Sequence, residues 1–280
     1  MNINTLIRQS KGILKVLLGR ASVIEINPLS FAGWKMATGT RTPWQGGGGN
    51  LIANGFANCD AQVERLIDER KLRLSQFKPA AVSLEVAALK WRHYLVYWSA
   101  CYAMRHAQGQ EKNLAELGVC DGLTAWYASQ AQFDAQAPGD FFLYDAWEGM
   151  RDDLLEAGEK SSAGSYAYLD IENTRHNLNQ AAQRNFVFIK GYVPESFSHG
   201  PNPETLAWLH IDLNSAIPTI AGLDFFWERI LPGGVVLLDD FAWPGYEDTQ
   251  AAVEQWASEQ QQQILHLPTG QAVIFKNKTQ

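Results

Sequence analysis

The chain has 280 residues, 46% of them hydrophobic, which is enough to bury a full core, and its formal net charge is −7. The charge is unevenly placed: positions 1–112 carry 15 Lys and Arg against 7 Asp and Glu, and the remainder carries 8 against 23. The basic residues are too scattered for a nucleic-acid stripe, so the two parts are expected to attract each other within a chain or across a homodimer. Cys59, Cys101 and Cys120 are odd in number and form no C-x-x-C pair, as expected of reduced packing residues in a cytoplasmic protein. No apolar run approaches the ~18–20 residues that span a bilayer, and the first residues lack the small-residue cleavage site of a secretory signal.

In chain order, Leu6, Ile7, Ile13, Leu14, Leu17 and Leu18 alternate with Arg8, Lys11, Lys15 and Arg20. This predicts a short basic amphipathic helix docked on its own domain, with a membrane surface or a partner as alternatives. Residues 27–57 read as a loop, and Trp34, Met36 and Trp44 beside Gly46-Gly47-Gly48-Gly49 suggest a lid on a glycine hinge. Asp60 is expected to cap a charged helix running to about Gln76 and ended by Pro79. A second helix over 83–106 places Leu84, Ala88, Trp91, Leu95, Trp98 and Tyr102 on one core-facing stripe. Strands and helices then alternate. Strands are expected at 114–119, 141–146, 186–191, 206–212, 235–239, 264–267 and 272–275, with helices at 123–132, 171–184, 217–230 and 248–261. The pattern predicts an α/β fold with a doubly wound, seven-stranded, mostly parallel sheet that ends in an antiparallel hairpin. It divides the chain into an N-terminal helical and lid segment, 1–80, and a larger domain, 81–280.

The stretch Ala115-Glu116-Leu117-Gly118-Val119-Cys120-Asp121-Gly122 reads as a buried strand entering a helix through a glycine turn. Its E-x-G-x-x-x-G spacing suits the S-adenosylmethionine (SAM) turn of class I methyltransferases better than the phosphate-binding G-x-G-x-x-G. A SAM ammonium and sulfonium tolerate a nearby carboxylate that a pyrophosphate would not. Asp145 ends the second strand, where a ribose would sit in an open α/β sheet. His210 and Asp212 end the fourth strand, and Asp239 and Asp240 the fifth, so three carboxylates meet on one rim. Without an opposite charge they would raise one another's pKa, and a hard divalent cation relieves this directly. Asp239 and Asp240 cannot share a face in a regular strand, so the second is expected in the turn. His210 should face away from Asp212, as a core or supporting histidine rather than a base.

These residues resemble the macrocin-type, TylF-like O-methyltransferases. The likeness runs from about Tyr94 to the end and rests on five motifs in order: Glu116 to Gly122; Tyr144-Asp145-Ala146-Trp147-Glu148-Gly149; Lys190-Gly191-Tyr192-Val193-Pro194; His210-Ile211-Asp212; and Leu231 to Phe241. The resemblance implies a Rossmann-like class I methyltransferase with SAM at Glu116, Gly118, Val119, Gly122, Asp145, Ala146 and Tyr192, and Mg2+ at Asp212, Asp239 and Asp240. The implied reaction is O-methylation of a hydroxyl on a sugar or polyhydroxylated small molecule of natural product biosynthesis, with Asp212 or Asp240 taking the proton. One departure stands out. The family continues its fourth strand as D-x-D-L-Y-x-S, whereas this chain reads Asp212-Leu213-Asn214-Ser215-Ala216, one negative charge fewer. A non-catalytic SAM-binding or scaffold protein is the rival reading, and a nicotinamide oxidoreductase is disfavoured by the glycine spacing.

Overall fold

The computed structural model describes residues 51–182, 185–267 and 269–277. The expected amphipathic helix and the Trp34/Trp44 lid lie outside them. Among the described residues three helices, α1 (Leu51–Asp68), α2 (Val82–Ala88) and α3 (Lys90–His106), precede the sheet. Then come β1 (Leu114–Leu117), α4 (Leu123–Asp134), β2 (Phe141–Asp145), α5 (Ile171–Leu178), β3 (Phe186–Lys190), β4 (Leu206–Ile211), α6 (Ala216–Phe226), β5 (Ile230–Leu238), α7 (Glu247–Glu259), β6 (Leu265–His266) and β7 (Ala272–Phe275). The strand order is β3-β2-β1-β4-β5-β7-β6. β1 to β5 are parallel, and β7 pairs antiparallel with both β5 and β6.

Alternation along the strands assigns side chains to two apolar layers, as the period-two pleat requires. Leu114, Phe141, Leu143, Trp208, Val235 and Leu237 face α1, α3 and α4. Ala115, Leu117, Phe142, Tyr144, Leu209 and Val236 face α6 and α7. The chain reverses its winding between β1 and β4, which opens a crevice at their carboxyl ends. The expected seven-stranded doubly wound sheet with its terminal hairpin is therefore present.

Three local expectations are corrected. α1 begins inside the supposed loop, and Asp60 is not its cap. Phe56, Cys59, Val63 and Leu66 recur at helical spacing and are buried, so the helix is held by packing upstream of the polar residue. Asp60 sits mid-helix and buried, accepting a hydrogen bond from the Tyr127 hydroxyl at 3.0 Å and pairing with Lys90 Nζ at 2.8 Å. The expected helix 83–106 is two helices, because Leu89 leaves helical geometry (φ −99°, ψ 8°). The break rotates the register. His93, Val96, Tyr97, Ala100 and Met104 are buried in α3, while Trp91, Leu95, Trp98 and Tyr102 are half-buried at its margin. The helices expected at 171–184 and 217–230 are shorter, and β5 starts five residues early, at Ile230, through an irregular register opposite Leu206.

Candidate active site

The crevice holds a cavity of about 420 Å³, within the roughly 300–1,000 Å³ range of small-molecule sites. Its lining includes Gly118, Val119, Asp145, Ala146, Tyr192, Asp212, Asp239 and Asp240, so eight of the ten site residues expected from sequence meet there. Gly118 has φ +83°, and a Cβ would lie 1.9 Å from the backbone oxygen of Asp212. The glycine is thus demanded by the neighbouring strand end rather than by a ligand. Gly122 also has φ +83°, starts α4, and is crowded by Thr174 and Leu178 on the protein side. It does not line the cavity.

Asp145 is more engaged than its position at the end of β2 suggests. Oδ2 accepts the backbone N–H groups of Val119 at 2.7 Å and Cys120 at 2.8 Å, and Oδ1 accepts that of Trp147 at 2.6 Å. Burial pushes its carboxyl above the ordinary value, against the pull of these three amides. The side chain therefore fixes the glycine turn, and only Oδ1 retains an unused lone pair within this set of bonds. A second clamp comes from the α1–α2 connection. Ser75 Oγ donates to Asp121 at 2.8 Å and the Gln76 N–H at 3.2 Å, tying the segment before α2 to the same turn.

Glu116 is fully buried within β1 and does not line the cavity. Its Oε1 lies 2.8 Å from His210 Nδ1, on the paired residue of β4. A polar group in the sheet interior needs such a partner, and Glu116 finds it beneath the turn rather than in the cavity. His210 stacks on Trp208 at 5.5 Å and is a core residue, not a base on the cavity. His93, from α3, reaches the cavity wall almost fully buried and stacked on Tyr127 at 4.5 Å, with neither ring nitrogen hydrogen-bonded among the described residues.

The carboxylates of Asp212, Asp239 and Asp240 come together with their nearest oxygens within 4.8 Å. β5 ends at Leu238, so both Asp239 and Asp240 have left the strand and its alternation no longer separates them. Burial first, then the charges of Asp212 and Asp239, hold Asp240 well above the usual carboxyl range; Asp212 is also raised by burial, though Arg92 opposes this. Among them sits a cation that sequence reading did not single out. Arg92, in the first turn of α3, donates from Nη2 to Asp212 Oδ2 and from Nε to Asp239 Oδ1 at 2.8 Å. Burial alone would depress its pKa, but Asp239 and Asp212 raise it further above its already high value. Gln271 Nε2 also donates to Asp239 Oδ1 at 2.7 Å, and the Asn214 N–H to Asp240 Oδ2 at 2.8 Å. The donor chemistry suits a hard cation. With the guanidinium bonded to two of its three carboxylates, however, the arrangement does not fit a divalent ion.

Asn214 follows β4 and lines the same cavity. It adopts φ 56°, and its Oδ1 accepts hydroxyl bonds from Tyr246 at 2.6 Å and Tyr166 at 3.1 Å. Tyr166 and Cys120 on the same wall also have positive φ, a concentration of backbone strain beside the cavity. The segment after β2 is anchored by buried Glu159, whose carboxylate accepts from the Ser215 hydroxyl at 2.7 Å, the Ala216 N–H at 2.9 Å and the Thr249 hydroxyl at 3.0 Å. It thereby caps α6 and holds Tyr166 over the carboxylates. These tyrosines lie in stretches whose sequence carries no periodic signal. Only the acid-rich rim opposite them was readable.

Residues 115–241 match the Methyltransf_24 family, described as a methyltransferase domain. The fold is that of a class I methyltransferase. The O-methyltransferase NovP superposes with a TM-score of 0.57 at 18% identity, covering 67% of this chain and 80% of that one. CalS11, a calicheamicin methyltransferase, superposes at 0.51 with 17% identity, covering 78% and 91%. At these identities the likeness establishes the class I fold and no more. No curated protein sequence matches the chain. Among the described residues, no helix is long and apolar enough to cross a membrane.

Proposed function

We propose that this protein transfers a methyl group from SAM to a hydroxyl of a sugar or other polyhydroxylated small molecule. The TylF-like resemblance of the motifs and the two O-methyltransferase and calicheamicin methyltransferase neighbours favour such an acceptor. The observation that carries the reading is the carboxyl pair Asp212 and Asp240, raised in pKa and lining the cavity that contains the Gly118 turn. The cavity suits an adenosyl cation: Leu123, Leu155 and Leu169 provide apolar wall, and Asp145 and Glu148 provide acid near the turn. When bound, SAM supplies an electrophilic methyl whose C–S bond breaks as the C–O bond forms. The chain's own task is to hold the acceptor and take its proton. Tyr166, Tyr246 and Asn214 offer hydroxyl and amide groups matched to a polyol, and the hydroxyl proton passes to an ionised oxygen of the Asp212/Asp240 pair. A raised pKa brings that oxygen closer in basicity to its task than an exposed aspartate.

Incubating the protein with SAM and a panel of glycosides and polyols, with mass spectrometry for a 14 Da gain and for the demethylated cofactor, tests the reading. A methylated acceptor is expected, with the product lost in Asp240→Asn. Calorimetric binding of NADH but not SAM would overturn it. SAM binding with no transfer to any hydroxyl would favour the non-catalytic alternative.

A further inference from the structure

The acidic cluster needs positive charge, and the chain brings its own. We propose that the Arg92 guanidinium is the resident cation of the Asp212/Asp239/Asp240 cluster, standing where a divalent metal would otherwise bind, so that methyl transfer here requires no metal. The inference rests on the reading of these carboxylates as the transfer site, but its test does not depend on finding an acceptor.

Three observations carry it. First, position: Arg92 bonds Asp212 and Asp239 at once, through Nη2 and Nε, at the adjacent carboxyl ends of β4 and β5. A guanidinium is always charged and its fork matches two carboxylates, whereas Mg2+ demands octahedral oxygens at about 2.0–2.1 Å. Both cannot use the same oxygens. Second, charge: Arg92 already places a positive charge among the three carboxyls and is bonded to two of them. A divalent ion added to that set would face a buried guanidinium of like sign a few ångströms away. Third, ligand engagement: the side-chain oxygen of the nearby Asn214 is bonded to Tyr166 and Tyr246. Asp239 Oδ1 is also occupied by Gln271. The residues that would complete an octahedral shell are engaged elsewhere, while the cation that makes the shell unnecessary is locked in place by α3.

Guanidinium in place of metal keeps the electrostatic part of the chemistry. It favours ionisation of the neighbouring carboxyls and stabilises negative charge growing on an acceptor oxygen at the cluster, without a metal-bound intermediate.

Mn2+ titration followed by electron paramagnetic resonance, with SAM present, reads site occupancy directly. Wild type should show no saturable Mn2+ up to millimolar concentration. Arg92→Ala should open the cluster and tighten Mn2+ by at least about tenfold, since a buried like charge has gone, and a further Asp239→Asn change should abolish the gain. One equivalent of Mn2+ bound at micromolar concentration by wild type and lost in Asp239→Asn would overturn the proposal. So would a folded Arg92→Ala protein that gains no Mn2+, because the carboxylates would then not be a cation site. If Arg92→Ala does not fold, the wild-type titration decides alone. Where an acceptor is in hand, full transfer in excess chelator is the matching expectation.

Discussion

Replacing Asp145 with Asn separates two roles for that residue. Its carboxylate holds three backbone amides, Val119, Cys120 and Trp147, at 2.6–2.8 Å in a buried site. Asn keeps the size, and its oxygen can still face Val119 and Cys120, but its NH2 then confronts the Trp147 N–H, donor against donor. One charge-assisted bond is lost outright and two are weakened. At about 1.5–3 kcal/mol for a bond to a charged group, and less than that for each weakened one, the loss of stability is about 2–4 kcal/mol. In a chain of this size that lowers Tm by roughly 5–15 °C. SAM affinity should fall in parallel, because the glycine turn loses its tether. Urea unfolding of wild type and Asp145→Asn, with calorimetric SAM titration of each well below its Tm, provides both numbers. Unchanged stability together with a tenfold or greater loss of SAM affinity would refute the clamp and return Asp145 to the simple role of ribose acceptor.

Other substitutions probe other parts of the site. Gly118→Ala should not fold stably, since its Cβ would meet the Asp212 carbonyl at 1.9 Å in a left-handed backbone; a soluble protein with wild-type urea midpoint would contradict this. Glu159→Ala removes acceptors from Ser215, Ala216 and Thr249, for a loss of about 2–4 kcal/mol in urea unfolding with SAM affinity little changed. Asp240 is an acid raised by folding, mainly through burial and then through Asp212 and Asp239. Its contribution to stability is complete below the unfolded value near ~3.9 and is lost as pH rises through the higher folded value. The stability difference between wild type and Asp240→Asn should therefore shift against wild type from acid toward neutral pH. Transfer should run the other way in wild type, kcat rising as the pair ionises, and fall at least about 100-fold in Asp240→Asn; a pH-independent wild-type kcat would exclude the pair as base.

The sheet was legible because buried parallel strands write themselves as apolar runs with acids at their ends: 141–146 and 206–212 appear within a residue of β2 and β4. Residues 51–110 were less legible. Asp60 looks like a cap because Asp prefers caps, yet Phe56, Cys59 and Val63 continue the helical spacing on both sides of it, and burial outweighed local preference. In α3 the large aromatics suggested the buried face, but the break at Leu89 turned the smaller residues Val96, Ala100 and Ala103 inward. At the site, positions at strand ends could be read and their partners could not. Nothing local tells that Asp145 reaches the Val119 and Cys120 amides or that Glu116 faces His210, because both pairings are made across strands.

Arg92 shows why electrostatics read from sequence can be right about need and silent about source. Three aspartates at adjacent strand ends require a positive charge, and that much follows from their types and positions. The excess of basic residues in the first 112 positions over the acidic remainder implied that the two parts attract. These two statements concern the same interaction: Arg92, from the basic part, bonds Asp212 and Asp239 from the acidic part. Within Lys90-Trp91-Arg92-His93-Tyr94, however, a single Arg among aromatics looks like the solvated edge of an amphipathic helix. Only the packing of α3 along β4 and β5 turns it inward over the strand ends. A buried guanidinium held by two carboxylates constrains that helix in addition to its apolar contacts, since removing either partner leaves an uncompensated charge. The placement of α3, and with it His93 and the cavity wall, is thus coupled to the ionisation of the residues that the proposed reaction uses.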